Sequence, residues 1–553
     1  MLPALKRIIM FPMNGKTKSF LSRYGVILFF VLYAGIGLIV YDDYGCGPDE
    51  GMERQTSLVN YKYLIEKLDL PVSQAVETWL GYLEPLHEYR DRYYGTAVQT
   101  PMVLIESAVA FTMEPAEFYG MRHLYTFINF FAAMICFYLL LKKRFGNRGF
   151  ALTGTAMLIT TPRFFAESFY NNKDVLFLSW YIIAIYFSLR WIENKSSKNA
   201  LISGILMAFT VNTRLNGIAL IPILLLFILL EIFQTRENKK KIIISTLVFL
   251  FTSLVTYFLI TPVYWENPLQ TFQEMLSFNL SHPNHGSDGN LFFGQLIDTT
   301  QVWYYIPVWI ALTVPTIYIL FSIGGFFTAV TRIIRSKLNI FNDRTLLMDA
   351  YLLAAGFIPL TVIIVFRVII YNSWRHCYFF YATLIYLACV GIQSVWRWQW
   401  KHPFTKQVKQ GFVGLAASFP LLANVFWIVQ NHPYQFVYFA PAVREYAGYF
   451  SGDYWGVAGR DLLTFIIESD DRPQIMIDHE YTNAGSINRG LLAQSDRDRL
   501  DLVESSENAD YILYSRDDKM PEQANFAGFE KVYSIQVDED EIGIVFKRKG
   551  EGK

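Results

Sequence analysis

Residues 25–50 read GVILFFVLYAGIGLIVYDDYGCGPDE. The run 25–41 carries no charge, and Lys6, Arg7, Lys16, Lys18 and Arg23 precede it. A cleavable leader opens in the same way but needs a small-residue cleavage site, whereas this chain continues into Asp42, Asp43 and Tyr44. The segment reads as a signal anchor with its N-terminus in the cytoplasm.

The rest of the chain follows that pattern. Of 553 residues, 53% are hydrophobic and 17% charged, against roughly 25% charged in ordinary globular domains. Lipid must therefore solvate much of the molecule. Further apolar runs lie at 124–141, 149–161, 175–191, 200–211, 218–233, 242–260, 304–327, 346–366, 377–395 and 411–429. With the first run they predict about eleven spans, several short of the roughly 20 apolar residues a bilayer needs.

Alternating these spans puts Lys142, Lys143, Arg144 and Arg148 on the cytoplasmic side, with Lys195, Lys198 and the run 236–241. Arg332, Arg335, Lys337, Arg397, Lys401, Lys406 and Lys409 fall there too. Such one-sided basic clusters are what the positive-inside rule demands. The opposite face receives a long first loop at 42–120, shorter loops at 163–174, 262–303 and 367–375, and the tail from 431. In the first loop, 52–70 and 101–113 have the spacing of amphipathic helices lying at the membrane surface.

After Pro433 the composition shifts to a helix pattern at 462–468, strand-like runs at 474–477, 511–514 and 543–547, and much Asp and Glu. The expected fold is a multi-span α-helical membrane unit over 1–430, followed by an extracytoplasmic α/β domain over 431–553.

Charge excludes one class of partner: 48 basic and 48 acidic residues leave a net charge of zero, which supplies no overall field for nucleic acid. Cys46, Cys136, Cys377 and Cys389 lack metal-ligand spacing. Cys46 and Cys377 fall on one face, which leaves a disulfide between them open.

Gly47-Pro48-Asp49-Glu50 lies just beyond the first run. Two carboxylates after a proline suit a helix N-terminus, and equally suit a general base, which must reach the hydroxyl proton it removes. Asn171-Asn172-Lys173-Asp174 adds a cation and a second acid on the same face. Arg214, in Asn212-Thr213-Arg214-Leu215-Asn216, and Arg375 with His376 add positive charge there. Arg375 fits snorkelling to headgroups as well as gripping a lipid phosphate. Tyr94, Tyr264 and Tyr305, with Glu266, stand in turns on this face as candidate substrate contacts, although each ring taken singly fits an interfacial belt. His282 and His285 are a weak metal signal without a clear third ligand, and the carboxylate cluster is compatible with a divalent ion without requiring one.

The chain resembles the GT-C class of membrane glycosyltransferases over roughly residues 20–430. The likeness is to the bacterial branch related to protein O-mannosyltransferases and the lipid A aminoarabinose transferase. It rests on Pro48-Asp49-Glu50, Lys173-Asp174, Tyr264-Trp265-Glu266-Asn267-Pro268, Trp303-Tyr304-Tyr305 and Arg375-His376, in that order and on one face. His432-Pro433-Tyr434-Gln435 and Asp453-Tyr454-Trp455-Gly456 resemble the subset with an extracytoplasmic α/β domain.

The resemblance implies an inverting glycosyltransferase of the cytoplasmic membrane, working at its outer face with a polyprenyl phosphate-linked sugar as donor. A lipid, glycan or protein hydroxyl would be the acceptor, and hexosyl or pentosyl the group moved. It implies Asp49 as leading base, Glu50 beside it and Asp174 as a further acid. Thr313-Val314-Pro315 stands where the family has lysine-threonine-proline, which leaves the basic contact expected there without its lysine. Two other readings stay open: a transporter or flippase of lipid-linked sugar, which more often shows the paired repeats that are not seen here, and a non-catalytic envelope assembly protein.

Overall fold

The structure, a computed structural model, describes residues 15–235, 238–281, 289–398, 403–482, 485–516 and 526–550. His282 and His285 lie outside the described residues. Helix α1 (Gly15–Val40) leads into the first loop, which holds α2 (Pro48–Lys67), α3 (Gln74–Gly81) and α4 (Thr100–Ala108). The expected surface helices correspond to α2 and α4. Helix α3 was not expected; Ser73 starts it by accepting the Val76 N–H.

The bundle proper begins with α5 (Pro115–Phe145). Its limits follow local rules. Pro115 occupies the first turn, Glu117 accepts the Glu114 N–H, and Gly146, at φ +68°, ends it. There follow α6 (Arg148–Ile159), α7 (Pro162–Tyr170), α8 (Asp174–Glu193), α9 (Ser197–Thr213), α10 (Leu220–Gln234), α11 (Lys239–Leu259) and α12 (Pro268–Ser281). After a short hairpin, β1 (Asn290–Phe292) and β2 (Gln295–Ile297), come α13 (Tyr305–Thr313), α14 (Thr316–Arg335), α15 (Arg344–Val365), α16 (Phe379–Arg397) and α17 (Pro403–Gln430).

Among the described residues, eight helices are long and apolar enough to cross a membrane. Of the other expected runs, 25–41 appears as the shorter apolar helix Tyr24–Val40, while 149–161 and 200–211 fall on α6 and α9, which are not among these eight. The run 304–327 is broken into α13 and α14. Pro315 has no N–H to give and Val314 before it is extended, at φ −101° and ψ 136°, so one helix ends there and the next starts at Thr316.

The helices alternate in direction and so separate two ends. Helix α5 starts beside α2, where His123 meets Glu50, and after 31 residues ends with Arg144 on Asp349 of α15. At about 1.5 Å per residue those points are roughly 30 Å apart along the helix. At the Asp349 end, Arg144 grips both carboxylate oxygens at 2.7 and 3.0 Å, Tyr386 donates at 2.6 Å and Arg332 completes the group. Helices α14 and α16 cross closely because both contacts are glycines: a Cβ at Gly325 would lie 1.9 Å from the Leu387 carbonyl oxygen, and one at Gly391 2.0 Å from that of Phe321.

Residues 431–458 run back along the bundle, where the Ala440 N–H donates to the Leu312 carbonyl. Beyond them α18 (Gly459–Ser469) packs Leu462, Leu463 and Ile466 against a five-stranded sheet. The last elements are β3 (Ile475–Tyr481), α19 (Gly485–Gly490), α20 (Gln494–Arg497), β4 (Leu500–Val503), β5 (Tyr511–Ser515), β6 (Phe529–Val537) and β7 (Asp540–Arg548). The strand order is β4-β3-β5-β7-β6, with β3 parallel to both β4 and β5 and the other pairs antiparallel. The chain is thus a multi-span helical membrane protein with a small C-terminal sheet. All four cysteines are free. Cys46 faces His123 across 3.8 Å while Cys377 lies in the turn after Arg375, so the open Cys46–Cys377 disulfide is not formed.

Candidate active site

Gly47 caps α2, Pro48 occupies its first position, and Asp49 and Glu50 form its acidic first turn. Successive helical residues point about 100° apart, so neighbouring carboxylates cannot face one place. Glu50 turns inward: one oxygen accepts the Gly47 N–H at 3.0 Å and the other meets His123 Nε2 at 2.9 Å. Asp49 turns to a cavity of about 260 Å³, with 18% of its side chain exposed. Glu53, one turn further on Asp49's face, is ion-paired with Lys173. It was not among the sequence candidates, although its i+4 spacing from Asp49 carried the signal.

The cavity is lined by Asp49, Tyr94, Lys173, Arg214, Tyr371 and His376, among others. Lys173 immediately precedes α8 and lies 3.8 Å from the centre of the Tyr94 ring. Arg214 leaves the end of α9 with extended backbone and pairs with Asp174. Gly95 lets the first loop reach this point, since a Cβ there would come within 1.9 Å of the Asn212 carbonyl oxygen. Asn212 itself was named only as part of its motif; its side chain accepts the Ala97 N–H at 3.0 Å and donates to Thr261 at 3.0 Å, tying three segments together.

Arg375 is placed differently from the other two cations. Its side chain is 3% exposed, and one nitrogen bridges Asp49 at 2.7 Å and Asp174 at 3.5 Å. The guanidinium lies 4.7 Å from the Trp455 ring and 4.9 Å from that of Tyr371. Arg375 therefore stands behind Asp49, with Lys173 and Arg214 on the cavity wall. Asp174, fully buried, holds both arginines. Asp49, Glu53 and Asp174 balance Lys173, Arg214 and Arg375 charge for charge.

Position separates Asp49 from Glu53. Burial pushes the Asp49 carboxyl up, but Arg375, Lys173 and Arg214 together outweigh burial and hold it below the usual carboxylate range. Glu53 is raised, because burial outweighs Lys173, its main counter-charge.

The remaining candidates lie off the cavity. Tyr264 is buried along a neighbouring groove, its hydroxyl 3.3 Å from the Met275 sulfur. Glu266 accepts from Tyr63 at 3.0 Å and Lys67 at 3.1 Å, latching α2 to the turn after α11. Tyr305 is buried, and its hydroxyl accepts the Ser373 N–H at 3.1 Å, fixing the segment that leads to Arg375. Thr313 accepts the indole N–H of Trp374 at 2.9 Å, so that position also supports the Arg375 turn.

Beside the polar cavity runs an apolar groove of about 540 Å³, lined by Leu250, Leu254, Phe258, Leu269 and Phe272 on its outer side. Val211, Leu215, Tyr257 and Met275 line both spaces. The two therefore adjoin, apolar toward the bilayer and charged toward Asp49.

Residues 122–265 match the profile of the dolichyl-phosphate-mannose-protein mannosyltransferase family. That stretch carries Lys173, Asp174, Arg214 and most of the groove wall, and there the resemblance to GT-C membrane glycosyltransferases is borne out. No curated protein matches the chain significantly. Among solved structures, the chain is similar to ArnT from Cupriavidus metallidurans bound to undecaprenyl phosphate, at 13% identity and a TM-score of 0.46, over 96% of this chain and 99% of that one. The apo state of the same protein aligns at 14% identity with the same TM-score, over 95% and 98%.

Proposed function

We propose that this chain is a membrane glycosyltransferase that moves a sugar from a polyprenyl phosphate-linked donor to a hydroxyl acceptor, with inversion, at the outer face of the cytoplasmic membrane. The observation that carries the reading is the continuity of groove and cavity. An amphiphile with a long apolar tail and an anionic head fits that pair of spaces, whereas a soluble nucleotide sugar has no use for the groove.

The tail lies against Leu250, Leu254, Phe258 and Phe272, and the phosphate meets Lys173 and Arg214. Asp49, held ionised by its cations, takes the proton of the acceptor hydroxyl. The acceptor oxygen bonds to the anomeric carbon as the bond from that carbon to the phosphate oxygen breaks. The bonding pair leaves with the polyprenyl phosphate. Lys173 and Arg214 stabilise the charge gathering on that phosphate, in a site already organised before reaction. Once Asp49 is protonated it no longer balances Arg375, which makes the cavity more positive as the leaving group becomes more negative. Asp174 positions both arginines, and Glu53 positions Lys173.

The test is to incubate purified protein with a panel of polyprenyl phosphate sugars and hydroxyl acceptors. The reading expects acceptor-dependent release of free polyprenyl phosphate and a product of inverted anomeric configuration. Movement of intact donor across vesicles without any release would replace it with the flippase reading.

A further inference from the structure

A second constellation lies on the inward side of α2. Cys46, Glu50 and His123 come from the loop before α2, its first turn and the early part of α5, and all three are buried. One ligating atom from each, Cys46 Sγ, Glu50 Oε2 and His123 Nε2, falls within a sphere in which all pairs are closer than 4.8 Å.

The hydrogen bonds around the cluster orient these atoms. His123 Nδ1 lies 3.1 Å from the Tyr41 carbonyl oxygen, which can only accept, so Nδ1 carries the ring proton. In the neutral ring Nε2 then presents a lone pair, 2.9 Å from a Glu50 oxygen that also presents one. Two acceptors facing each other require a proton or a cation between them. The other Glu50 oxygen is occupied by the Gly47 N–H. Cys46 is fixed through its backbone, its N–H donating to Asn488 Oδ1 at 2.9 Å and its carbonyl accepting from Asn488 Nδ2 at 3.0 Å. Such outer contacts are what hold metal ligands in register.

We propose that Cys46, Glu50 and His123 bind a divalent, borderline-soft cation, zinc by preference, with one position left open. One thiolate, one imidazole and one carboxylate are a zinc donor set. Tetrahedral zinc would separate sulfur from nitrogen by about 3.6 Å and nitrogen from oxygen by about 3.3 Å. The observed 3.8 and 2.9 Å are each within a few tenths of an ångström. A cavity of about 130 Å³, bordered by Asp42, Tyr44, Tyr119 and Arg460, reaches the His123 side of the cluster.

The ion would tie the start of α2 to α5, and so fix the turn from which Asp49 projects. This tie stands whether or not the transfer reaction is confirmed.

Metal analysis of protein purified without an immobilised-metal column should find about one zinc per chain. After chelation, Co²⁺ alone is the probe: it should restore tetrahedral visible bands together with a near-ultraviolet thiolate-to-cobalt transition. Cys46→Ser should abolish that transition, and His123→Ala should weaken cobalt binding at least tenfold. Wild-type protein that binds no cobalt, or binds it without the sulfur transition, overturns the proposal and needs no variant to fold. Persistence of the transition in folded Cys46→Ser would place the ion on another cysteine, with the same consequence.

Discussion

At one end of the bundle Asp349 accepts from Arg144, Arg332 and Tyr386 and has no exposed side-chain surface; at the other, Asp49 shares Arg375 and keeps 18% of its side chain open to a cavity. Both groups pair buried carboxylates with guanidinium. At the Asp349 end two arginines converge on one acid, and the network locks α5, α14 and α15 together. At the Asp49 end three acids and three cations are spread around a space, so each charge is balanced while the wall stays accessible. A closed network is a clamp, and an open one can exchange its partners with a ligand.

The strongest way to sharpen that contrast is to break the clamp. Asp349→Ala leaves the buried Arg144 without its counter-charge, while the part-exposed Arg332 keeps Asp343, and should cost about 3–5 kcal/mol of stability, read as a large fall in unfolding temperature in detergent. Turnover per folded molecule should stay within about twofold. Stable but inactive Asp349→Ala would mean that the two ends are coupled in the reaction.

Next comes the order of the cations in the open network. Arg214→Ala should weaken donor affinity by about 10- to 100-fold, as expected for one lost hydrogen bond to a charged group of about 1.5–3 kcal/mol. Arg214→Lys should recover part of this, because lysine keeps the charge but not the planar fork. Arg375→Ala should lower turnover more than donor affinity. Titrating donor into each variant checks this, and a larger affinity loss in Arg375→Ala would put that residue on the phosphate and Arg214 behind it.

A smaller effect is expected from pH. Because Glu53 is raised, it gives up its proton above the ordinary glutamate range, and its pairing with Lys173 is completed only as pH rises through that raised value. Donor affinity should therefore fall on the acid side, with a midpoint above the ordinary glutamate range. Glu53→Gln should flatten that limb; an unchanged limb would assign it to another group. Smallest of all, Glu266→Gln touches an exposed latch outside the cavity and should change turnover by less than about twofold.

Much of the fold was legible because long apolar runs separated by basic clusters leave few alternatives. The broken span was not: Pro359 and Pro420 sit inside unbroken helices, so the proline at 315 does not by itself announce the break at Val314. In the site, Asp49, Lys173, Arg214 and His376 were legible as charged or polar residues in loops on one face. That Asp49 and Glu50 face different places was not legible, because it depends on the helix that turns them apart. The depth of Arg375 depends on Trp455, which is distant in sequence and reaches it only through the return of residues 431–458. Tyr264 lines the groove rather than the cavity, and Glu266 and Tyr305 make hydrogen bonds within the protein; turns collect aromatic and acidic residues for structural reasons as well as for binding.

The account stands most directly on Asp49, and the measurement is the kinetic split of Asp49→Asn. That change keeps the side-chain shape and removes the proton acceptor. Turnover with a polyprenyl phosphate sugar should drop on the order of 100- to 10,000-fold, with donor affinity within a few-fold of wild type. Near-normal turnover in folded Asp49→Asn would contradict the assignment of this cavity as the place where the acceptor loses its proton.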